Sequence, residues 1–364
     1  MHDQGDAMPT HRVNEIDLLR FLSAMAVVLF HYAFRGYAGD GLSVMPAPAL
    51  APLAKYGYLG VMLFFMISGF AILLSVRDGS LRNFVVSRIV RLYPAFWTCC
   101  TITFLCTLWF GAPRFAASLS QYLVNMSMMN EFVDIASLDG AYWSLAVEMR
   151  FYFLVAIVLL ACRLQRLETL LAGWLLVSCL LLRYPVSWTL SAVLLSNWSG
   201  FFIGGALCYL IFEHGCTAMR AALLCCAWGL SSLQVLGPVD GFELTYHTEM
   251  SRTAILATVA GFFGVFALIA LRATGRLAAM RWSLAGAITY PVYLLHQNIG
   301  YMVFNRFYPE VDADVLMAAT LAGMLGLAAL VHRVVERRAA GAMKVMLNRA
   351  LDRAAASVAP RATP

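Results

Sequence analysis

The stretch Ile16–Phe34, IDLLRFLSAMAVVLFHYAF, decides the fold class of this chain. It has the length and composition of a helix that crosses a bilayer, which needs about 20 predominantly apolar residues. Two ionisable side chains, Arg20 and His31, nevertheless lie inside it. Their separation of eleven residues returns to nearly the same face of an α-helix and places them roughly 17 Å apart along it. Because ionisable groups are expensive inside a bilayer, this pair indicates a functional path.

The composition places the whole chain in the membrane class. Of the 364 residues, 61% are hydrophobic and 13% are charged, whereas a soluble protein carries about 25% charged residues. Apolar stretches of spanning length follow one another, and we predict an all-α integral membrane protein with about ten transmembrane helices. The stretches are 16–34, 58–76, 93–110, 142–161, 168–183, 190–211, 221–237, 252–271, 284–304 and 315–332.

The basic residues predict which side of the membrane each segment faces. If the N-terminus lies in the cytoplasm, the inner segments hold eighteen of the 26 Lys and Arg residues and the outer segments hold six. Because cytoplasmic segments are enriched in these residues, both termini are expected inside. Three parts result: a cytoplasmic N-terminal segment 1–15, a transmembrane domain 16–336 and a basic cytoplasmic tail 337–364. We expect the tail to form an interfacial helix held to anionic lipid.

Two sequence features argue against further processing or metal chemistry. The first fifteen residues are polar and no convincing cleavage site follows, so we interpret the first apolar stretch as a retained helix and not as a signal peptide. The nine cysteines lie mostly in or beside apolar stretches and lack CxxC spacing. We therefore interpret them as small buried hydrophobes and expect no metal site.

His31 and Glu148 are candidates for acid–base chemistry. A lone histidine on an apolar helix is more often a structural hydrogen-bonding group, but Glu148 is predicted at a similar depth in the fourth stretch. A carboxylate that orients an imidazole makes it a usable general base. Ser144, Glu148 and Tyr152 recur at intervals of four residues and form a polar stripe on one helix face. The alternative, Glu148 as the structural partner of an arginine, stays open.

Arg88 and Arg91 lie at the predicted cytoplasmic mouth of the third stretch. Three residues apart, they project to one side of a helix, where two guanidinium groups suit bidentate binding of phosphate. Arginines are common at such mouths, so the pair alone does not predict a phosphate site. His296 lies near Pro291, which leaves a free carbonyl in its helix. A lined cavity and a structural contact between helices fit His296 equally well.

Several short motifs follow one another across these stretches, each weak alone. They are Asp17, Arg20 and His31; Phe65, Ser68, Gly69 and Phe70; Arg88, Arg91, Tyr93 and Pro94; Trp143, Ser144, Glu148, Phe151 and Tyr152; and Tyr290, Tyr293 and His296. In this order they resemble bacterial acyltransferase family 3, multi-pass inner-membrane proteins that acylate sugars and other acceptors. The resemblance extends over roughly residues 12–338. One departure is Pro291, which stands where the family's pattern leads us to expect a serine.

The resemblance implies an O-acyltransferase of the bacterial inner membrane. It would move an acyl group, most commonly acetyl, from cytoplasmic acyl-CoA to a hydroxyl of a surface polysaccharide or glycolipid on the outer side. His31, Glu148 and Arg20 would be catalytic, and Arg88, Arg91 and Tyr93 would bind acyl-CoA. Supporting roles fall to Asp17, Trp143, Ser144, Tyr152, Tyr290, Tyr293 and His296. Whether His31 acts as a general base or carries the acyl group itself stays open.

The implied substrates are acyl-CoA as the donor and a polysaccharide or glycolipid as the acceptor. No tightly bound cofactor and no nucleic acid is expected, membrane lipid surrounds the chain, and a separate periplasmic partner or a homo-oligomer stays open. A glycan or small-molecule transporter or flippase also carries ionisable residues inside many spans. A non-catalytic assembly subunit is the third hypothesis. Labelled acetyl-CoA separates them, because only an acyltransferase marks an acceptor.

Overall fold

The computed structural model describes residues 13–76, 79–161 and 164–358. Most of the predicted N-terminal segment, up to position 12, lies outside the described residues. The same holds for Arg77, Cys162, Arg163 and residues 359–364. Within the described ranges the chain forms helices and contains no strand. The predicted all-α fold is therefore confirmed.

Each of the ten apolar stretches contains one long helix, and an eleventh follows them. We number these eleven helices and refer to the shorter ones by their bounds. They are α1 (Asn14–Phe30), α2 (Leu59–Ser75), α3 (Leu81–Phe110), α4 (Trp143–Leu160), α5 (Leu167–Arg183), α6 (Ser199–His214), α7 (Ala218–Leu236), α8 (Arg252–Ala270), α9 (Ser283–Phe307), α10 (Ala313–Val331) and α11 (Arg337–Val358).

Eight helical segments of the described chain are long and apolar enough to cross a membrane. They contain α1–α5, α7, α8 and α10. Helix α6 is shorter, with 16 residues, and α9 is long but carries the polar run His296, Gln297 and Asn298 near its middle. The chain is thus a multi-pass membrane protein, and the exact number of crossings and the side of each terminus stay predictions.

Side-chain caps fix where several helices begin. Ser80, Thr217, Ser251 and Asp312 precede α3, α7, α8 and α10, and each accepts a hydrogen bond from a backbone N–H of the following turn. Because the first N–H groups of a helix have no partner within it, such a cap defines the starting residue. Helix α3 therefore begins at Leu81, well before its predicted apolar part.

The bundle is built around two helices, α6 and α9. Helix α9 packs against α1, α3 and α10, and α6 packs against α2, α5, α7 and α8, while α1 lies beside α2. The contact of α2 with α6 is especially close. A Cβ at Gly205 would lie 1.9 Å from the carbonyl oxygen of Met66, and one at Gly69 would lie 2.1 Å from that of Phe202. Small residues allow helix backbones to approach in this way.

Two helices change their winding without ending. Helix α1 continues into the π-helical segment His31–Gly39, and π-helical turns are frequent at functional sites. Helix α10 continues through the π-helical segment His332–Glu336 into α11. The predicted tail is therefore a helix joined to the bundle, and it packs against α3.

The cysteines differ from their interpretation as buried hydrophobes. Cys99, Cys100 and Cys208 are buried. Others lie on outward faces of α5 and α7 or in the connection before α7, where an apolar thiol is compatible with a lipid-facing surface. The exposed ones are Cys179, Cys216, Cys225 and Cys226.

Candidate active site

Three cavities follow one another through the bundle. The first, which we call the basic cavity, has about 900 Å³ and lies between the beginnings of α1, α3 and α9 and helix α11. The second, the connecting cleft, is narrow, with about 90 Å³, and shares Arg20, Arg88, Arg91 and Tyr290 with the first. The third, the aromatic cavity, has about 620 Å³ and shares Tyr293 with the cleft.

The basic cavity collects cationic side chains from separate helices. Arg20 comes from α1, Arg88 and Arg91 come from α3, and Arg337 and Lys344 come from α11. Of these, Arg20 lies 3.4 Å from a carboxylate oxygen of Asp17. For the other four, no salt bridge is recorded within the described part of the chain. Unpaired cations around one cavity attract an anion.

Glu148 lies in the connecting cleft. Its Oε1 accepts hydrogen bonds from the hydroxyl of Ser68 at 2.8 Å and from that of Tyr152 at 2.5 Å. Both partners anchor the carboxylate on the side of the cleft that also holds Arg88. Glu148 therefore faces the cationic end of the path.

The aromatic cavity surrounds His31 with rings and amides. Tyr58, Trp143, Trp198, Phe242 and Tyr246 contribute the rings. Asn197 and Gln234 add amide groups, and Arg35 lines the same wall one turn beyond His31. The Arg35 guanidinium lies 2.9 Å from a carboxylate oxygen of Asp40. A cavity with flat apolar faces and a few polar groups suits an organic ligand with hydroxyl groups.

His31 and His296 form a buried pair of imidazole rings. Nδ1 of His31 lies 3.0 Å from Nε2 of His296 and 2.9 Å from the carbonyl oxygen of Val27. Nδ1 of His296 lies 2.8 Å from the carbonyl oxygen of Tyr293. Both rings are buried, with His31 5% and His296 0% exposed.

The acceptors assign the tautomers of this pair. Because a carbonyl oxygen only accepts, Nδ1 of neutral His296 carries the hydrogen donated to Tyr293, and its Nε2 is an acceptor. Nδ1 of His31 then donates to that nitrogen and to the carbonyl of Val27. Among the described residues no hydrogen bond is recorded for Nε2 of His31. This nitrogen keeps its lone pair for chemistry at the aromatic cavity.

Asp139 fixes the start of α4 against the middle of α9 beside this pair. Its carboxylate accepts hydrogen bonds from the backbone N–H groups of Ala141 and Asn298, both at 2.9 Å. The side chain is fully buried, and burial raises the pKa of Asp139 to about 6. The segment before α4 thus holds the two helices in register.

The structure brings most of the predicted site residues to one path. Nearly all line one or more of the three cavities, and His296 contacts His31 directly. Those that line the cavities are Asp17, Arg20, His31, Arg88, Arg91, Trp143, Ser144, Glu148, Tyr152, Tyr290 and Tyr293.

Two expectations need correction. Glu148 does not orient His31, because its carboxylate is held by Ser68 and Tyr152, and His296 occupies the orienting position. Tyr93 does not line the basic cavity or the cleft. Its hydroxyl donates instead to the carbonyl oxygen of Ser127 at 2.9 Å, on another face of α3.

Arg337 and Lys344 were not among the predicted site residues. They are seven residues apart in a basic run, which places them on one face of a helix. That spacing could have indicated a cationic helix face that lines a site, but the basic run fits a lipid-bound tail as well. The rings Tyr58, Trp198 and Tyr246 gave no signal, because aromatic residues are frequent throughout the chain.

Two curated proteins are similar to part of this chain. The chain is similar to a protein named O-acetyl transferase from Shigella phage Sf6, at 28% identity over 160 residues, covering 40% of this chain and 46% of the relative. It is also similar to Nodulation protein 10 of Rhizobium leguminosarum bv. viciae, at 29% identity over 172 residues, covering 41% of this chain and 44% of the relative. The chain thus spans less than half the length of each of these curated relatives.

A family match covers far more of the chain. No solved structure matches the chain. The acyltransferase 3 family, described as an acyltransferase domain, matches residues 13–333. This region contains every helix from α1 to α10 and both members of the histidine pair. The resemblance drawn from the motifs is confirmed, and the chain belongs to the acyltransferase 3 family.

Proposed function

We propose that this protein is a membrane-bound O-acyltransferase of the bacterial inner membrane. It moves an acyl group, in the first instance acetyl, from cytoplasmic acyl-CoA to a hydroxyl of a surface polysaccharide or glycolipid on the outer side. The observation that carries the proposal is Nε2 of His31, for which no hydrogen bond is recorded among the described residues. It lies at one end of a path that begins among cationic side chains. Family membership and the phage relative named O-acetyl transferase support it.

The basic cavity and the cleft provide for the donor. Acyl-CoA carries phosphates at one end and a thioester on a slender arm at the other. Arg88 and Arg91 line both spaces, so they face the point where the phosphates stop and the arm enters. Tyr290 also lines both spaces, and within the described residues its buried hydroxyl has no hydrogen-bond partner. A small shift of the ring would offer this hydroxyl to an amide group of the arm.

The aromatic cavity provides for the acceptor. Sugar rings present apolar C–H faces and a rim of hydroxyl groups. The rings of Trp143 and Trp198, with centroids 5.7 Å apart, offer apolar surface to such a face. Asn197 offers an amide group to the rim, whereas the amide of Gln234 is held by Ser196, Ser199 and Gly200 and shapes the wall. An acceptor held here places a hydroxyl beside His31.

The reaction then needs only one proton carrier. Nε2 of His31 takes the proton of the acceptor hydroxyl as its oxygen attacks the thioester carbonyl carbon. The C–S bond breaks, the acyl group stays on the acceptor oxygen, and the proton passes from His31 to the released thiolate. His296 keeps His31 in the reactive tautomer throughout. For the thioester to reach His31, the ring of Tyr293 between the cleft and the aromatic cavity must move aside.

A second route uses the same nitrogen. Nε2 of His31 attacks the thioester carbonyl carbon, the C–S bond breaks and the thiolate of coenzyme A leaves. The acceptor hydroxyl then takes the acyl group from Nε2, the N–acyl bond breaks, and the hydroxyl proton goes to the thiolate. Rapid denaturation after mixing with labelled acyl-CoA alone distinguishes the routes, because only the second leaves label on the protein.

The test of the proposal is acyl transfer by membranes that contain the protein. Membranes with the wild type and labelled acetyl-CoA should label a glycan or glycolipid, and His31→Ala should abolish labelling because the proton carrier is lost. The matched control is His214→Ala, an exposed histidine at the end of α6, which should transfer like the wild type. Normal transfer by His31→Ala, with both proteins equally abundant, would falsify the mechanism. No transfer by the wild type would favour a transporter or an assembly subunit.

A further inference from the structure

Helix α11 forms one wall of the basic cavity. Arg337, Lys344 and Asn348 line the cavity, and their spacing of seven and four residues places them on one helix face. This helix follows the region 13–333 that the acyltransferase 3 family shares. The wall is therefore a feature of this chain beyond the shared domain.

The position of the wall is fixed from two sides. At its beginning α11 continues from α10 without interruption. Near its end Arg82 of α3 contacts Asp352 at 2.6 Å and the side-chain oxygen of Asn348 at 3.2 Å, and it also donates to the carbonyl oxygen of Asn348 at 3.1 Å. These contacts hold the cationic face of α11 against the cavity.

The charges that face the basic cavity favour a polyanion. Five cations face two carboxylates, and of the carboxylates Asp17 contacts Arg20 while Glu336 contacts His332. Arg88 and Arg91 lie on one side and Arg337 and Lys344 on the other, and no salt bridge is recorded for these four among the described residues. The cavity is thus prepared for anionic groups at two separate places.

The two pairs of cations differ in what else they touch. Arg88 and Arg91 also line the connecting cleft, whereas Arg337 and Lys344 line the basic cavity alone. A donor whose acyl arm occupies the cleft has its diphosphate beside the first pair. The 3′-phosphate on its ribose, which is farther from the thioester, then lies on the side of α11.

We propose that α11 binds the 3′-phosphate of the donor nucleotide through Arg337 and Lys344. This inference rests on the proposed use of acyl-CoA and adds a determinant of donor affinity that lies outside the acyltransferase domain. Ion pairs with phosphate oxygens supply the attraction. The planar guanidinium of Arg337 can donate two hydrogen bonds to one phosphate, whereas the ammonium of Lys344 acts as a point charge.

The test compares coenzyme A with dephospho-coenzyme A, which lacks only the 3′-phosphate. Full-length protein in detergent should bind coenzyme A about tenfold more tightly by calorimetric titration. The measured quantity is the ratio of the Kd for dephospho-coenzyme A to the Kd for coenzyme A. Lys344→Ala and Arg337→Ala should each reduce this ratio, and the double variant should bring it near one. The matched control is Arg349→Ala, whose side chain faces a different groove of α11 and should leave the ratio unchanged.

A second set of variants tests the placement of the wall. Arg82→Glu should lower the same ratio because it opposes Asp352, and Arg82→Glu with Asp352→Arg should restore it. Restoration shows that the loss comes from the displaced helix and not from misfolding.

The outcomes separate this inference from the proposed function. If the wild type transfers acetyl from acetyl-CoA but binds both nucleotides equally, or if the variants keep its ratio, the role of α11 is overturned while the function stands. If the variants keep the ratio but lose stabilisation by phosphatidylglycerol over phosphatidylcholine in nanodiscs, the cations serve a lipid headgroup and the inference is again overturned. If the wild type binds neither nucleotide and transfers no acetyl group, both fall.

Discussion

His31 is oriented by a neutral ring and not by a carboxylate. In a Ser-His-Asp triad the histidine is held by an aspartate that also stabilises the imidazolium. Here His296 accepts from Nδ1 of His31 and is itself held by the carbonyl oxygen of Tyr293. This arrangement fixes the tautomer without burying a charge next to the ring, and a buried unpaired charge would be costly.

Replacing His296 tests this role. His296→Phe removes the acceptor for Nδ1 of His31, so the ring is held by the carbonyl oxygen of Val27 alone. We expect kcat for acetyl transfer to fall roughly tenfold to a hundredfold, with KM for acetyl-CoA unchanged, because positioning of the base affects the chemical step. Initial rates with labelled acetyl-CoA measure both constants.

The conservative variant separates positioning from packing. His296→Gln retains a side-chain oxygen that can accept from His31 and should keep more of kcat than His296→Phe. An unchanged kcat in His296→Phe, or a change confined to KM, would contradict the assignment. Monodisperse elution of both variants in detergent serves as the folding control.

At the scale of the helices, the contact of α2 with α6 shows how the bundle supports the site. Gly205 and Gly69 bring the two backbones together. Helix α2 carries Ser68 to Glu148, and Trp198, which immediately precedes α6, lines the aromatic cavity. Separation of the two helices would therefore move walls of both the cleft and the aromatic cavity.

A methyl group at this contact is expected to destabilise the protein. In Gly205→Ala the new Cβ meets backbone atoms that cannot rotate away, so the helices must separate and we expect the apparent Tm in detergent to fall by about 5 °C or more. The matched control is Gly173→Ala in α5, where a Cβ meets nothing within 4 Å. Its Tm should stay within about 2 °C of the wild type. Equal effects of the two variants would show that the close contact does not limit stability.

The long helices were predictable and their exact bounds were not. Apolar length located all ten, because a spanning helix must bury its backbone and cover itself with apolar side chains. The start of α3 at Leu81 was missed because its first turns are polar and pack against α11. The π-helical turn at His31 was also missed, because no local residue preference in the sequence indicates it.

At the scale of the molecule, the path joins residues from distant parts of the chain, and this limits what a sequence can predict. Arg20 and His31 became candidates because charges in apolar stretches are conspicuous, and Arg91 became one through its spacing from Arg88 at the mouth of the third stretch. Which group meets His31 depends on the rotation of α4 and α9 about their axes. Glu148, predicted at a depth similar to that of His31, turns toward the cleft, and His296 takes its place.

The side of the membrane that each segment faces can be tested directly. Fusions of green fluorescent protein after Gly275 and after the last residue should fluoresce, and a fusion after Ala116 should not, because basic residues are held in the cytoplasm. Alkaline phosphatase fusions at the same positions should show the reverse pattern. A fluorescent fusion after Ala116 would overturn the predicted orientation and, with it, the assignment of the basic cavity to the cytoplasmic side.

Tyr293 lines both the cleft and the aromatic cavity. Where the bundle spans the membrane as predicted, this single ring, tethered through its hydroxyl to Ser144 at 2.7 Å, is the barrier between two water-accessible spaces. An enzyme of this design must also behave as a closed channel. When the ring moves aside to let a thioester pass, the arm of the donor has to fill the space that the ring leaves. Otherwise protons would cross the membrane along the open path, driven by the membrane potential.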